Sequence, residues 1–315
     1  MLTELQKRTI QSIVNIYETG VVLGDYGCVT VIEKDPGHLT YGRSQTTLVS
    51  GNLHTLIKQY CDQTGARFAK RLRQWLPQLQ AKDLALDVDK KLHNVLRAAA
   101  DDPIMRSVQD SFFDSCYWVA AEQAAQRAKL SCAAGMAIAY DSTVHGSWDF
   151  IRKRTNQQIG VIEIIGEQEW IRAYVRTRRE WLANHANSLL RKTMYRMDAF
   201  SAMIEMNNWN LELPLVVRGA EISTASLSAN PPNCFDGPEP GSRALDSKQS
   251  PLPRGLDVRL LQLALSDWGA NVKADGIFGP GTATCLSNFQ KAKGLPANGT
   301  ADRNRVKQMA ESCYG

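Results

Sequence analysis

Half of the chain's 12 prolines fall between Pro231 and Pro253. Proline fixes one backbone dihedral and carries no N–H, so neither a helix nor a central strand runs through such a stretch. Asn230-Pro-Pro-Asn-Cys-Phe-Asp-Gly-Pro-Glu-Pro-Gly241 and Ser250-Pro-Leu-Pro-Arg-Gly255 add turn residues to the same segment. It reads as a connector, 221–254, dividing the 315 residues into a large domain, 1–220, and a small one, 255–315. A connector of this kind implies few contacts across the boundary, so deleting the small domain is expected to leave a folded large one.

In the large domain, apolar residues recur three and four apart in 53–61, 68–79, 92–99, 108–125 and 170–190, which predicts a mainly helical, α+β architecture. A first helix carries the stripe Ile10, Ile13, Val14 and Tyr17, opens on a Thr3/Gln6 capping box and stops at Gly20. The segment Cys28–Gly42 breaks the helical rule. Its β-branched residues flank Asp35-Pro36-Gly37, a type II turn sequence in which the glycine takes the positive φ, so a small β-hairpin is expected. In the small domain, Val258, Leu261 and Leu265 mark one helix, Pro280 starts a second and 301–312 forms a third. The tryptophans Trp118, Trp148, Trp170 and Trp181 are expected in the core.

Net charge is +5 and the pI about 8.8, too evenly mixed for a dedicated nucleic-acid binder but favourable for approaching an anionic polymer. No run reaches the roughly eighteen apolar residues of a membrane span, and the amino end lacks a secretory signal pattern. The expected setting is synthesis in the cytoplasm and action on a wall polymer in the periplasm or outside the cell. The seven cysteines show no zinc-ligand spacing, and His38, His54, His93, His145 and His185 form no ligand pair, so no metal and no cofactor is expected. Gly42-Arg-Ser-Gln-Thr only half matches a nucleophile elbow, so Ser44 is not read as a nucleophile. Cys234 and Cys313 flank the small domain and are candidates for a disulfide in an oxidising compartment.

Glu18 is the most informative carboxylate, open to two readings, a catalytic acid or a solvated helix-end glutamate. It sits at the carboxyl end of the first helix, where the macrodipole disfavours ionisation, and beside Val21, Val22 and Leu23, whose desolvation would act the same way. A neutral carboxylic acid is what a glycosidase uses to protonate a departing sugar oxygen. The required second carboxylate is open among Asp25, Glu33 and Asp35, with Asp35 best placed in the turn; a structural turn role suits Asp35 equally well. Arg43 and Gln45 could bond sugar substituents or anchor the hairpin.

Glu18, followed by Ile32–Gly42, resembles the helix-Glu, hairpin-Asp, hairpin-Thr array of phage-type lysozymes. That resemblance implies Glu18 as acid, Asp35 as base and Thr40 as the residue orienting the attacking water. Ala139–Ser147 is similar to the central helix of family 46 chitosanases, of the lysozyme superfamily; with Tyr41–Thr47 it implies a lysozyme-like domain over 1–220 with Tyr41, Arg43 and Gln45 near substrate. Val258–Leu265, Asp275-Gly-Ile-Phe-Gly-Pro-Gly-Thr282, Phe289-Gln290 and Gly294-Leu295 closely resemble the three-helix peptidoglycan-binding domain of wall hydrolases. Phe278 and Phe289 would plug its core, with Cys285 a buried thiol. The implied activity is an inverting muramidase cutting β-1,4 bonds of peptidoglycan strands, as an endolysin or as an antibacterial effector with a delivery apparatus and an immunity protein. A chitosanase and a catalytically silent wall binder are the alternatives.

Overall fold

The computed structural model describes residues 2–33, 35–43 and 45–313, and the fold is mainly α with two small antiparallel sheets. Ser44, excluded above as a nucleophile, lies outside the described residues. The chain divides into two compact units that do not follow its linear order: 1–24 with 113–229, and 25–112 with 230–315. Numbering helices of nine residues or more, the chain runs α1 (Glu4–Thr19), β1 (Val29–Thr30), β2 (Thr40–Tyr41), β3 (Thr46–Thr47), α2 (Asn52–Cys61), α3 (Lys90–Ala99) and α4 (Pro103–Phe113). It continues with α5 (Val119–Arg127), α6 (Ala133–Val144), α7 (Trp148–Ile159), α8 (Glu167–Ala183), α9 (Tyr195–Glu205), β4 (Leu215–Val217) and β5 (Ala220–Ile222). It ends with α10 (Leu256–Trp268), α11 (Pro280–Ala292) and α12 (Arg303–Glu311).

The first unit is built round α6, buried from Ala133 to Ser142, as expected of a helix without a polar face. Its small residues let α1, α5 and α9 pack closely against it. A Cβ on Gly135 would lie 3.0 Å from Leu130 and 3.1 Å from Ile171, so the glycine marks one tight approach. The α1 reading holds in detail. Thr3 Oγ1 accepts from Gln6 N at 3.2 Å, Gln6 Oε1 accepts from Thr3 N at 2.9 Å, and Gly20 ends the helix at φ +79°. Trp118, Trp148 and Trp170 are buried in this core, with Trp181 packed against it.

In the second unit the hairpin forms with Val29 opposite Tyr41 and Thr30 opposite Thr40, and β3 adds a third strand the sequence did not announce. The turn differs from expectation: the left-handed residue is His38 (φ +58°), not Gly37. Gly37 is required instead for space, since a Cβ there would meet Thr47 Cγ2 at 2.7 Å. Asp87 holds this turn, its Oδ1 accepting from Leu39 N at 2.8 Å and its Oδ2 lying 2.7 Å from His38 Nδ1.

The three expected helices of the terminal segment form, with Val258, Leu261, Leu265 and Phe278 fully buried and Phe289 packed beside them. Cys285 is only partly buried. The expectation of few contacts beside the connector fails. Leu256, Leu260 and Leu263 of α10 share a core with Leu92, Val95 and Leu96 of α3. Asn94 Nδ2 donates to Ser266 Oγ at 3.0 Å and to Val272 O at 2.8 Å, while its Oδ1 accepts from Ala274 N at 2.9 Å. Arg259, almost wholly buried, donates to Arg97 O at 2.6 Å, Asn233 O at 2.8 Å and Asp101 Oδ1 at 3.2 Å. Burial raises Asp101 to about 7 against the pull of Arg259. Proline in 230–254 thus breaks helices without freeing the chain. The proposed Cys234–Cys313 bridge is also absent. Cys234 packs with Tyr26 and Ala100, Cys313 packs in the α3/α10 core, and burial pushes their thiols up to about 12 and about 11.

Candidate active site

Glu18 is the penultimate residue of α1 and lies in the first unit. Its side chain is 43% exposed, so Val21–Leu23 do not wall it in as the sequence suggested; a single guanidinium holds it instead. Arg196 Nη2, on α9, donates to Glu18 Oε1 at 2.7 Å. The same guanidinium turns its Nη1 to Asp141 Oδ1 at 2.7 Å, and Asp141 Oδ2 accepts from Arg178 Nη1 at 2.5 Å. Asp141 and Arg178 are fully buried and Arg196 nearly so.

Three helices therefore meet at one carboxylate, and the charges explain why. Burial alone would raise Asp141, but Arg178 and Arg196 overcome it and hold the group below the ordinary carboxylate range. Burial would lower Arg196, but Asp141 and Glu18 raise it well above the usual arginine value. A buried charge is tolerable only when paired and hydrogen-bonded, and here every ion has a partner. The backbone is fixed as firmly: Tyr17 OH donates to Arg196 O at 3.2 Å, and Tyr195 OH to Tyr17 O at 3.0 Å. His145 closes the cluster. Its Nδ1 accepts from Arg178 Nη2 at 3.2 Å, which fixes it as an acceptor, and burial with the two arginines depresses it to about 4.

Asp35, Thr40, Tyr41, Arg43 and Gln45 lie in the second unit. Asp35 is half-buried, and its Oδ1 accepts from Gly37 N at 2.8 Å, the turn role foreseen for it. Asp25 is occupied on both oxygens, by Gly27 N at 3.1 Å and Asn233 Nδ2 at 3.0 Å, whereas Glu33 is exposed. Thr40 is buried and donates to His38 O at 2.9 Å. Tyr41 is a correction: it is wholly buried, its hydroxyl donating to Leu96 O at 2.9 Å, so it is a core residue where a substrate contact was expected. Arg43 has a side chain only 4% exposed, pairs with Asp110 and lies over the Tyr26 ring at 5.6 Å, so it anchors the hairpin to α4. Gly42 allows that anchor: at φ +76° it packs so closely on Gln109 that a Cβ would lie 2.3 Å away. Gln45 is exposed and donates to Gly42 O at 2.9 Å.

Sequence reasoning missed Arg178, Arg196 and the role of Asp141. A signal existed, since Arg178 stands between Tyr174 and Leu182 on an apolar stripe, and an arginine there requires a buried partner. Among the described residues no group of His, Cys, Asp and Glu could hold a metal ion, and no helix is long and apolar enough to cross a membrane.

The pattern of the peptidoglycan-binding domain matches residues 254–309. A chitosanase of Bacillus subtilis (strain 168) is 29% identical over 237 residues, covering 70% of this chain and 84% of that protein. Among solved structures, the native chitosanase of Bacillus subtilis MY002 aligns with a TM-score of 0.55 at 26% identity, over 69% of this chain and 96% of that one. A family 46 chitosanase of Gynuella sunshinyii, solved with chitotetraose, shares the fold at a TM-score of 0.53 and 22% identity, over 70% and 98% of the two chains. The pattern of Glycosyl hydrolase family 46 itself matches residues 12–215, the greater part of the chain and all of the Glu18–Asp141–Arg178–Arg196 cluster, so this glycoside hydrolase belongs to that family.

Proposed function

We propose that this glycoside hydrolase cuts the β-1,4 glycan of peptidoglycan, with residues 254–309 holding it on the wall. One observation carries the choice of substrate: the region matching a peptidoglycan-binding domain is locked to residues 25–112 in one compact unit through Arg259, Asn94 and a shared apolar core. Attachment to an insoluble polymer raises the local concentration of scissile bonds without any new catalytic contact. The basic charge favours the same substrate, since peptidoglycan stems are anionic whereas chitosan is a polycation.

In this mechanism Glu18 donates its proton to the departing glycosidic oxygen. Arg196 engages Oε1 and so leaves Oε2 to carry that proton, while Asp141 and Arg178 keep the guanidinium from following the substrate. Asp35 takes the proton from a water that attacks the anomeric carbon on the opposite face, with Thr40 orienting that water, in a single displacement with inversion. Asp35 keeps one oxygen unengaged among the described residues, as a base requires. Action on a wall places the protein in the periplasm or outside the cell, as an endolysin or as an effector paired with an immunity protein.

Hydrolysis of chitosan is the second reading, favoured by the chitosanases among the relatives. Incubation with purified sacculi and, separately, with chitosan tests the choice. Soluble muropeptides from sacculi support the proposal; cleavage of chitosan alone would replace it.

A further inference from the structure

A cavity of about 440 Å³ opens between α8 and α9, within the first unit. Arg172, Arg176 and Arg179 line its α8 side at positions i, i+4 and i+7, one edge of the helix. Arg178 points to Asp141 from roughly 120° round the same helix, so the cavity is distinct from the charge cluster that holds Glu18. Val175 and Ile204, both buried, supply its apolar lining, and Glu205 stands on the α9 side.

The charges are not equivalent. Arg179 Nε is spent on Asp198 Oδ1 at 2.5 Å, and Arg172 lies over the Trp209 ring at 5.0 Å with Glu169 at 3.9 Å. Arg176 and Glu205 are exposed and make no ion pair among the described residues. The cavity thus presents one unengaged guanidinium and one unengaged carboxylate from opposite walls, over an apolar surface, at a volume suited to a small ligand. Its complement carries a carboxylate and an ammonium on a short aliphatic frame. Chitosan offers ammonium groups but no carboxylate. Peptidoglycan stem peptides offer both where the diamino acid keeps a free amine.

Resting on the peptidoglycan reading above, we propose that this cavity is a stem-peptide subsite in which Arg176 takes the carboxylate and Glu205 the ammonium of the zwitterionic diamino acid.

Calorimetric titration of the full chain tests this with three probes: the tripeptide L-Ala–γ-D-Glu–meso-diaminopimelate, the same tripeptide acetylated on its free side-chain amine, and free diaminopimelate. The tripeptide is expected to bind, and Arg176→Ala, Glu205→Gln or acetylation each to weaken it about tenfold or more, the worth of one charge-assisted hydrogen bond. Both substitutions fall on exposed side chains without ion-pair partners among the described residues, so the fold is expected to survive them. Absence of tripeptide binding, binding indifferent to both substitutions, or free diaminopimelate binding as tightly as the tripeptide would overturn the subsite. The peptidoglycan reading is judged separately, by muropeptide release from sacculi: release without tripeptide binding defeats the subsite alone, and no release defeats the substrate assignment.

Discussion

Asp141→Asn removes one negative charge and almost no volume, yet the geometry makes it among the most damaging substitutions available to the first unit. Two guanidiniums reach Asp141, at 2.5 and 2.7 Å, and none of the three side chains is more than 3% exposed. With charge centres about 4 Å apart and an effective dielectric near 20, each pair contributes roughly 4 kcal/mol of attraction. Lost hydration offsets much of this, several kcal/mol for each ion. In the variant the attraction disappears while the hydration loss of Arg178 and Arg196 persists, so a destabilisation of about 3–5 kcal/mol is expected. Denaturant unfolding followed by tryptophan fluorescence reads it, because Trp118, Trp148, Trp170, Trp181 and Trp209 all lie in this unit. Adding Arg178→Gln should recover part of the loss, since it removes one of the stranded cations. In the folded variant kcat should fall with KM little changed, because Arg196 loses the anchor from which it holds Glu18. A loss below about 1 kcal/mol would refute the electrostatic reasoning, and an unchanged kcat would refute the link from Asp141 to the acid.

Other consequences follow from particular residues. The folded protein depresses His145 to about 4, so on acidification the unfolded chain takes up the proton first; stability present above about pH 6.5 should decline towards pH 4 by up to ~2 kcal/mol once solvent screening of this partly exposed ring is discounted, and His145→Gln should flatten that slope in melts across this range. Tyr41→Phe deletes the hydrogen bond to Leu96 O, so urea unfolding should show a loss of about 1 kcal/mol with KM unchanged, and a raised KM would return Tyr41 to the substrate. Deleting 255–315 strips Leu256, Leu260 and Leu263 from the core shared with α3, so lowered melting and aggregation are expected on scattering. A soluble lobe with unaltered melting would show that core to be dispensable.

The elements legible in the sequence are those decided locally. The Thr3/Gln6 box, the Ile10–Tyr17 stripe and Gly20 delimit α1 within twenty residues, and the three terminal helices follow from Pro280 and the Val258–Leu265 spacing. Asp35 and the cross-strand partners of Thr40 also lie within one short segment. What escaped depends on partners far along the chain. Arg178 and Arg196 stand 37 and 55 residues from Asp141, and Glu18 stands 178 from Arg196. No local pattern announces such a cluster, apart from an arginine set on an apolar stripe. Prolines between 231 and 253 spoke truthfully about helix interruption but not about docking, because a chain without regular structure can still bury Cys234 and wrap Arg259. The burial of Tyr41 escaped too, because β2 is only two residues long and buries both Thr40 and Tyr41, so it leaves no alternation to read.

Mass spectrometry of the soluble products released from purified sacculi by the intact protein and by Glu18→Gln tests the role of Glu18 and the choice of substrate most directly. The intact protein should release disaccharide-based muropeptides ending in a reducing N-acetylmuramic acid, and the variant, which binds sacculi but cannot donate the proton, should release none. Equal release by both would remove Glu18 from the chemistry. No release by the intact protein, under conditions where it depolymerises chitosan, would contradict the peptidoglycan assignment itself.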